Sequence, residues 1–185
     1  MFEETRRTAG RGLMFVFTGQ IVALFSFIPF LGLAALIIGA VISLYGLYTL
    51  SQATIDYKNA FTLTLVGMVI GILANFFTGG FMSGVLSILK NIISFLVVYY
   101  VCTSTGQLLS GMSMAQAYTQ AERARTIWML YAVCMAISIV CGLLSYIPII
   151  NIMAALVSVV TAVVQLVASI LYLIFLWNSQ KLLQL

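Results

Sequence analysis

The chain alternates long apolar runs with short breaks marked by polar residues, glycine or proline. Six such runs cover approximately residues 12–30, 31–50, 59–77, 83–109, 127–146 and 151–177. Each approaches or exceeds the about 20 residues that a helix needs to cross a hydrocarbon layer of about 30 Å. They are too long and too uniformly apolar for the alternating strands of a membrane barrel, the other structure that satisfies its backbone in lipid. The pattern predicts an all-α fold, a polytopic transmembrane bundle of six spans. Its hairpins cover about 12–50, 59–109 and 127–180 within one membrane domain, 12–185, and residues 1–11 are expected to be a mobile polar tail.

The breaks refine this picture. The only two prolines, Pro29 and Pro148, sit in similar phrases, "SFIPFLGLAAL" from Ser26 and "SYIPIINIMAAL" from Ser145. Both fall between paired runs, where a missing N–H and a fixed φ do least harm. Each phrase is expected to form a hairpin tip, and the following runs both end in Ser-Gln, at Ser51-Gln52 and Ser179-Gln180. A duplicated hairpin follows, spans 1–2 and 5–6, repeated in parallel about an axis along the membrane normal. The second copy is longer, 31 positions from Pro148 to Ser179 against 22 from Pro29 to Ser51. That is ~46 Å of helix, so the last helix must tilt, bend or project from the membrane.

The central breaks differ. "FFTGGFM" over 76–82 is a turn built on Gly79-Gly80, and Lys90 and Asn91 then interrupt the fourth run. Either a short interfacial helix precedes the true span, or one long helix lets Lys90 snorkel outward. Residues 116–125 are good helix formers, so the fifth helix is expected to begin before its apolar run. Met112 and Met114 are candidate contacts for lipid or a partner. Asp56 is expected to cap the third helix.

Composition agrees with the pattern: 63% of the residues are hydrophobic and 6% charged, far from a soluble domain. Arg6, Arg7, Arg11, Lys58, Arg123, Arg125 and Lys181 all fall on one side of the six-span topology, with Lys90 the exception. The positive-inside tendency makes that side the cytoplasm and puts both termini there. Trp128 and Trp177 flank the same side, while Phe27, Phe30, Phe76, Phe77, Phe81 and Tyr146 form a belt at the other. The net charge of +4 is then a topology signal with some attraction to anionic lipid, and no nucleic-acid partner is expected. The first run continues into a second full span without a polar mature region, which favours a retained helix over a signal peptide.

Candidate chemistry is sparse. There is no histidine, and Glu3, Glu4, Asp56 and Glu122 all lie in segments expected to be cytoplasmic. The usual general base, metal sites and histidine-dependent triads are missing, so neither an enzyme nor a cofactor is expected. Cys102, Cys134 and Cys141 have no closely spaced pair, and packing is expected of Cys134 and Cys141 rather than a disulfide. A carboxylate proton relay is disfavoured too.

Small residues recur at helix-contact spacing: Ala35, Gly39 and Ser43; Gly67 and Gly71; Ala154, Ser158 and Ala162. Gln20, Asn75, Asn91, Asn151 and Gln165 are the amides in or near the spans. Gln165 is the deepest and must face protein or water, since an unsatisfied amide in lipid is costly. It makes an interhelical hydrogen bond or joins Gln20, Asn75, Lys90 and Asn91 along a polar path.

"IPFLG" at a hairpin tip, "AVISLYGLYTLSQ" after it and "DYKNAF" before the third run resemble small multi-spanning membrane proteins of bacteria and archaea without an assigned activity. The likeness is clearest over 12–61, with an echo over 131–181. It implies a helical fold in a prokaryotic plasma membrane and transfers no catalytic residue. Two function classes stand. The first expectation is a non-catalytic accessory subunit for a larger membrane partner. The alternative is a channel or carrier for ions or small solutes, built as a homo-oligomer and lined by Gln20, Asn75, Lys90, Asn91 and Gln165.

Overall fold

A computed structural model describes residues 2–27, 32–76, 80–144 and 151–184. Its elements are α1 (Phe2–Leu24), a 3-10 turn (Phe25–Phe27), α2 (Gly32–Ser51), α3 (Ile55–Phe76), α4 (Gly80–Ser110), α5 (Ala115–Leu144) and α6 (Asn151–Gln184). There is no strand among the described residues. The helices α2 to α6 are five helices long and apolar enough to cross a membrane. Hydroxyls within them bond back to their own turn, as Thr64 does to the Ala60 carbonyl at 2.9 Å and Thr161 to the Val157 carbonyl at 2.8 Å. Apolar helices can carry such residues where the donor is satisfied in this way.

Several boundaries differ from the sequence expectation. α1 starts at Phe2, not Gly12, so the basic segment is helical rather than a separate tail, and Ala9 within it is fully buried. Glu3 and Arg7 pair at 3.0 Å along its first turns. The third helix is capped by Thr54, whose Oγ1 accepts from the Tyr57 N–H at 3.5 Å. Asp56 instead occupies the first turn, where its carboxylate complements the helix dipole. Of the two forms considered around Lys90, the continuous one is found: α4 is a single helix and Lys90 is exposed on it. α5 begins at Ala115, ahead of its apolar run. Pro29 and Pro148, and with them the expected hairpin tips, lie outside the described residues, as do Phe30, Phe77, Gly79 and Tyr146.

Each helix packs on the next, and α6 returns against α1, so the six form a closed ring. Neighbours run antiparallel. Gly12 meets Gly46 and Gly19 meets Gly39 across α1 and α2; Tyr57 meets Thr105 and Gly67 meets Ile93 across α3 and α4. Tyr99 meets Trp128 across α4 and α5, and Phe17 meets Trp177 across α1 and α6. All Lys and Arg except Lys90 therefore gather at one end of the ring, called the basic end here.

The core lies in the basic half. Leu13, Leu50, Tyr57, Val101, Leu109, Phe175 and Leu183 form one buried cluster there, against which Met112 and Trp128 pack. Met114 points outward. In the far half, α2, α3 and α6 expose apolar side chains such as Leu33, Val69 and Val163, the surface expected of helices in lipid. The three cysteines are free and buried, and Cys102 belongs to the core.

The tightest contact is α1 against α2. A Cβ at Gly39 would come 2.6 Å from the Gly19 carbonyl oxygen and 2.8 Å from the Ala23 nitrogen. The two backbones touch because neither carries a side chain there. Ser43 faces Gly19 from the same stripe, and Ala35 is half-buried. The other two stripes behave differently. A Cβ at Gly67 would lie 3.0 Å from Ile93, whereas among the described residues nothing lies within 4 Å of one at Gly71. Gly71 is therefore not at a close helix contact. Ser158 and Ala162 are exposed, and the side chain of Ala154 lies outside the described residues.

Candidate functional site

One face of each helix turns toward the ring interior, and its character changes along the axis. On α4, Thr105, Cys102 and Val98 are buried in the core, and the same face continues through Ser94 to Asn91. On α5, Ala124 and Ile127 lead to Tyr131, Met135 and Ser138; on α6, Leu176, Tyr172 and Ala168 lead to Gln165. Residues three, four and seven apart share a helix face, so these polar groups stand directly above the packed core.

There the three helices border a groove of about 110 Å³, with Asn91, Ser94 and Gln165 exposed along it and Phe95, Tyr131, Met135 and Ser138 half-buried. Its inner end is tied together by hydrogen bonds. The Tyr131 hydroxyl donates to Ser169 Oγ at 3.1 Å, and Ser169 Oγ donates to the Gln165 carbonyl at 2.9 Å. The side-chain amides of Asn91 and Gln165, in contrast, have no hydrogen-bond partner among the described residues. Each offers two donors and an acceptor, and the serine and tyrosine hydroxyls can do either. No charged side chain lines the groove, and Lys90, adjacent to Asn91 in sequence, is not part of the lining.

A file of polar side chains continues from the groove through the core. Tyr131 and Tyr172 meet edge to face with ring centroids 6.2 Å apart. Tyr172 and Tyr57 share the buried cluster. The Tyr57 hydroxyl lies 2.7 Å from Thr105 Oγ1, which itself bonds the Val101 carbonyl at 2.7 Å. The Thr105 proton being so used, Tyr57 is the donor of the pair. Ser104 next to it bonds Thr54 at 2.6 Å in the turn at the basic end. Gln120 donates to the Phe175 carbonyl at 3.3 Å and faces Arg123 at 3.4 Å, closing the same end between α5 and α6. Buried hydroxyls and amides in this half are thus mostly satisfied; Ser179 Oγ, Gln180 Oε1 and Arg6 Nε are buried without a partner.

A second, wider crevice of about 380 Å³ separates α5 from α6 and is lined almost entirely by apolar residues from Met129 to Ile137 and from Val157 to Val164. It has none of the groove's convergent polar groups.

Of the five candidate path residues, the structure brings together Asn91 and Gln165. Gln20 is half-buried on α1, one turn beyond the buried Val16, and does not line the groove. Asn75 is in the last turn of α3, its side chain outside the described residues. The sequence reading passed over Ser94, Tyr131 and Ser138. Their signal was helical spacing: Ser87, Asn91 and Ser94 on α4, Thr161, Gln165 and Ser169 on α6, and Tyr131 seven residues before Ser138 on α5. No group of three or more His, Cys, Asp or Glu that could hold a metal ion occurs among the described residues. No family model, curated protein or solved structure matches the chain.

Proposed function

We propose that the protein is a non-catalytic, six-span membrane protein, with both chain ends cytoplasmic, that acts as a channel or carrier for a small solute. The observation that carries this is the groove at Asn91 and Gln165, where two exposed amides without partners line one polar groove formed by α4, α5 and α6 of the helix ring. An accessory subunit needs no such lining. Lipid-facing amides would be costly, whereas amides turned to a polar interior can serve a passing solute.

Support for the orientation is the gathering of basic residues at one end. Support for α1 as the sixth span is its apolar stretch from Gly12 and its close packing along α2. The groove is formed by α4, α5 and α6 of one chain, so the proposal does not require the homo-oligomer expected from the sequence. Because the carboxylates Glu3, Glu4, Asp56 and Glu122 sit toward the basic end, coupling to protons through a carboxylate is not part of it.

Reconstitution into liposomes tests the proposal. Flux of ions or small polar solutes is expected, with a large decrease for Gln165→Leu in protein that still elutes as a single folded species. If nothing passes and a larger membrane protein is retained in stoichiometric amount from native membranes, the accessory role expected first from the sequence takes its place.

A further inference from the structure

We infer that the groove is a binding site for a small uncharged solute carrying both hydrogen-bond donors and acceptors, with Tyr131 closing its inner end. The inference rests on the channel or carrier proposal and names the solute class. Four neutral groups, Asn91, Gln165, Ser94 and Ser138, present donors and acceptors together, and no charged side chain lines the groove. A bare ion leaving water there would lack a counter-charge, and stripping its hydration is far more costly than burying a neutral polar group that finds partners. Phe95 and Met135 supply an apolar wall for a carbon skeleton. The groove is small, about 110 Å³, and open on one side, so small neutral solutes such as urea and glycerol are the probes it suggests.

Tyr131 stands where the groove meets the core. Its ring packs on Tyr172 and its hydroxyl is held by Ser169, so the way toward the basic end is filled by side chain. A solute that replaced the Ser169 bond with its own would release the ring from that position without leaving the hydroxyl bare. The polar file beyond, Tyr172 and then Tyr57 with Thr105, offers hydrogen bonds along the onward route.

The experiment is osmotic light scattering of proteoliposomes after rapid mixing with urea or glycerol, beside ion-flux assays in KCl and NaCl. Neutral-solute entry should exceed that of protein-free vesicles several-fold. Gln165→Leu and Asn91→Leu should each reduce it toward background, Gln165→Asn should retain it, and Tyr131→Ala should raise it. Size-exclusion profiles of all variants report folding. Ion flux without neutral-solute flux overturns the solute class and leaves the channel or carrier proposal standing. Neutral flux that ignores both amide substitutions overturns the site. The lack of any flux overturns both proposals.

Discussion

The α1–α2 and α5–α6 hairpins carry the same proline phrase, yet one is zipped shut and the other stands open. Aligned on Pro29 and Pro148, Gly12 and Gly19 of α1 correspond to Tyr131 and Ser138 of α5. With the one-residue gap after the proline, Gly39 and Gly46 of α2 correspond to Val159 and Leu166 of α6. In the first hairpin those four glycines bring two backbones into contact. In the second, Tyr131 and Ser138 line the polar groove, and Val159 and Leu166 are exposed. A few side chains at matched positions separate a structural hairpin from one that has room for a ligand. Close helix contact depends on what is missing from a surface as much as on what is present.

The largest effect that would break this contrast is expected from Gly39→Ala. The new methyl would meet backbone atoms of α1 that cannot turn away, and overpacking of that kind costs ~1–3 kcal/mol. Denaturation monitored by tryptophan fluorescence in mild detergent would register it as an earlier midpoint. An unchanged midpoint would mean the helices separate freely and the zipper contributes nothing.

Tyr131→Phe comes next. It removes the donor to Ser169, and interhelical bonds of this type contribute about 1 kcal/mol, so the same unfolding assay should show a modest loss. Gly142→Ala in α5 should act in the opposite direction to Gly39→Ala. No atom of the described residues lies within 4 Å of a Cβ there, and replacing helical glycine by alanine is worth about 0.5–1 kcal/mol. A stabilised α5 beside a destabilised α2 would confirm that the two hairpins differ in packing and not in helix strength. The smallest change is expected from Val159→Leu, within about 0.5 kcal/mol because the site is exposed. A large loss there would point to a covering surface on α6.

The long apolar runs made the helices legible, because hydropathy over some twenty residues survives errors of a few positions at each end. The early start of α5 was legible in the helix formers over 116–125, but the start of α1 was harder, because its first turns are polar outside and buried only by neighbours distant in sequence, as Ala9 shows. The cap of α3 depended on a single residue, Thr54 rather than Asp56, and the turn geometry decides which side chain reaches the Tyr57 nitrogen. Within the site, Asn91 and Gln165 were visible because amides are rare in apolar runs. Ser94, Ser138 and Tyr131 were not, since hydroxyls in such helices usually bond their own backbone and say nothing of a neighbour. Their convergence needed the order of helices around the ring. The small-residue stripes show the same limit: identical spacing gave a tight contact at Gly39 and open space at Gly71.

The closure of the ring by α1 and α6 also sets an order for assembly. Gly10 of α1 lies against Gln180, Leu183 and Gln184 of α6. In synthesis α1 emerges before the four helices that separate it from α6. While the intervening helices are being made, the buried positions around Ala9 and Leu13 wait without their final partner. The seam between α1 and α6 is thus the step that closes the ring. Chains cut short before Phe175 would leave an open ring for quality-control proteases to recognise.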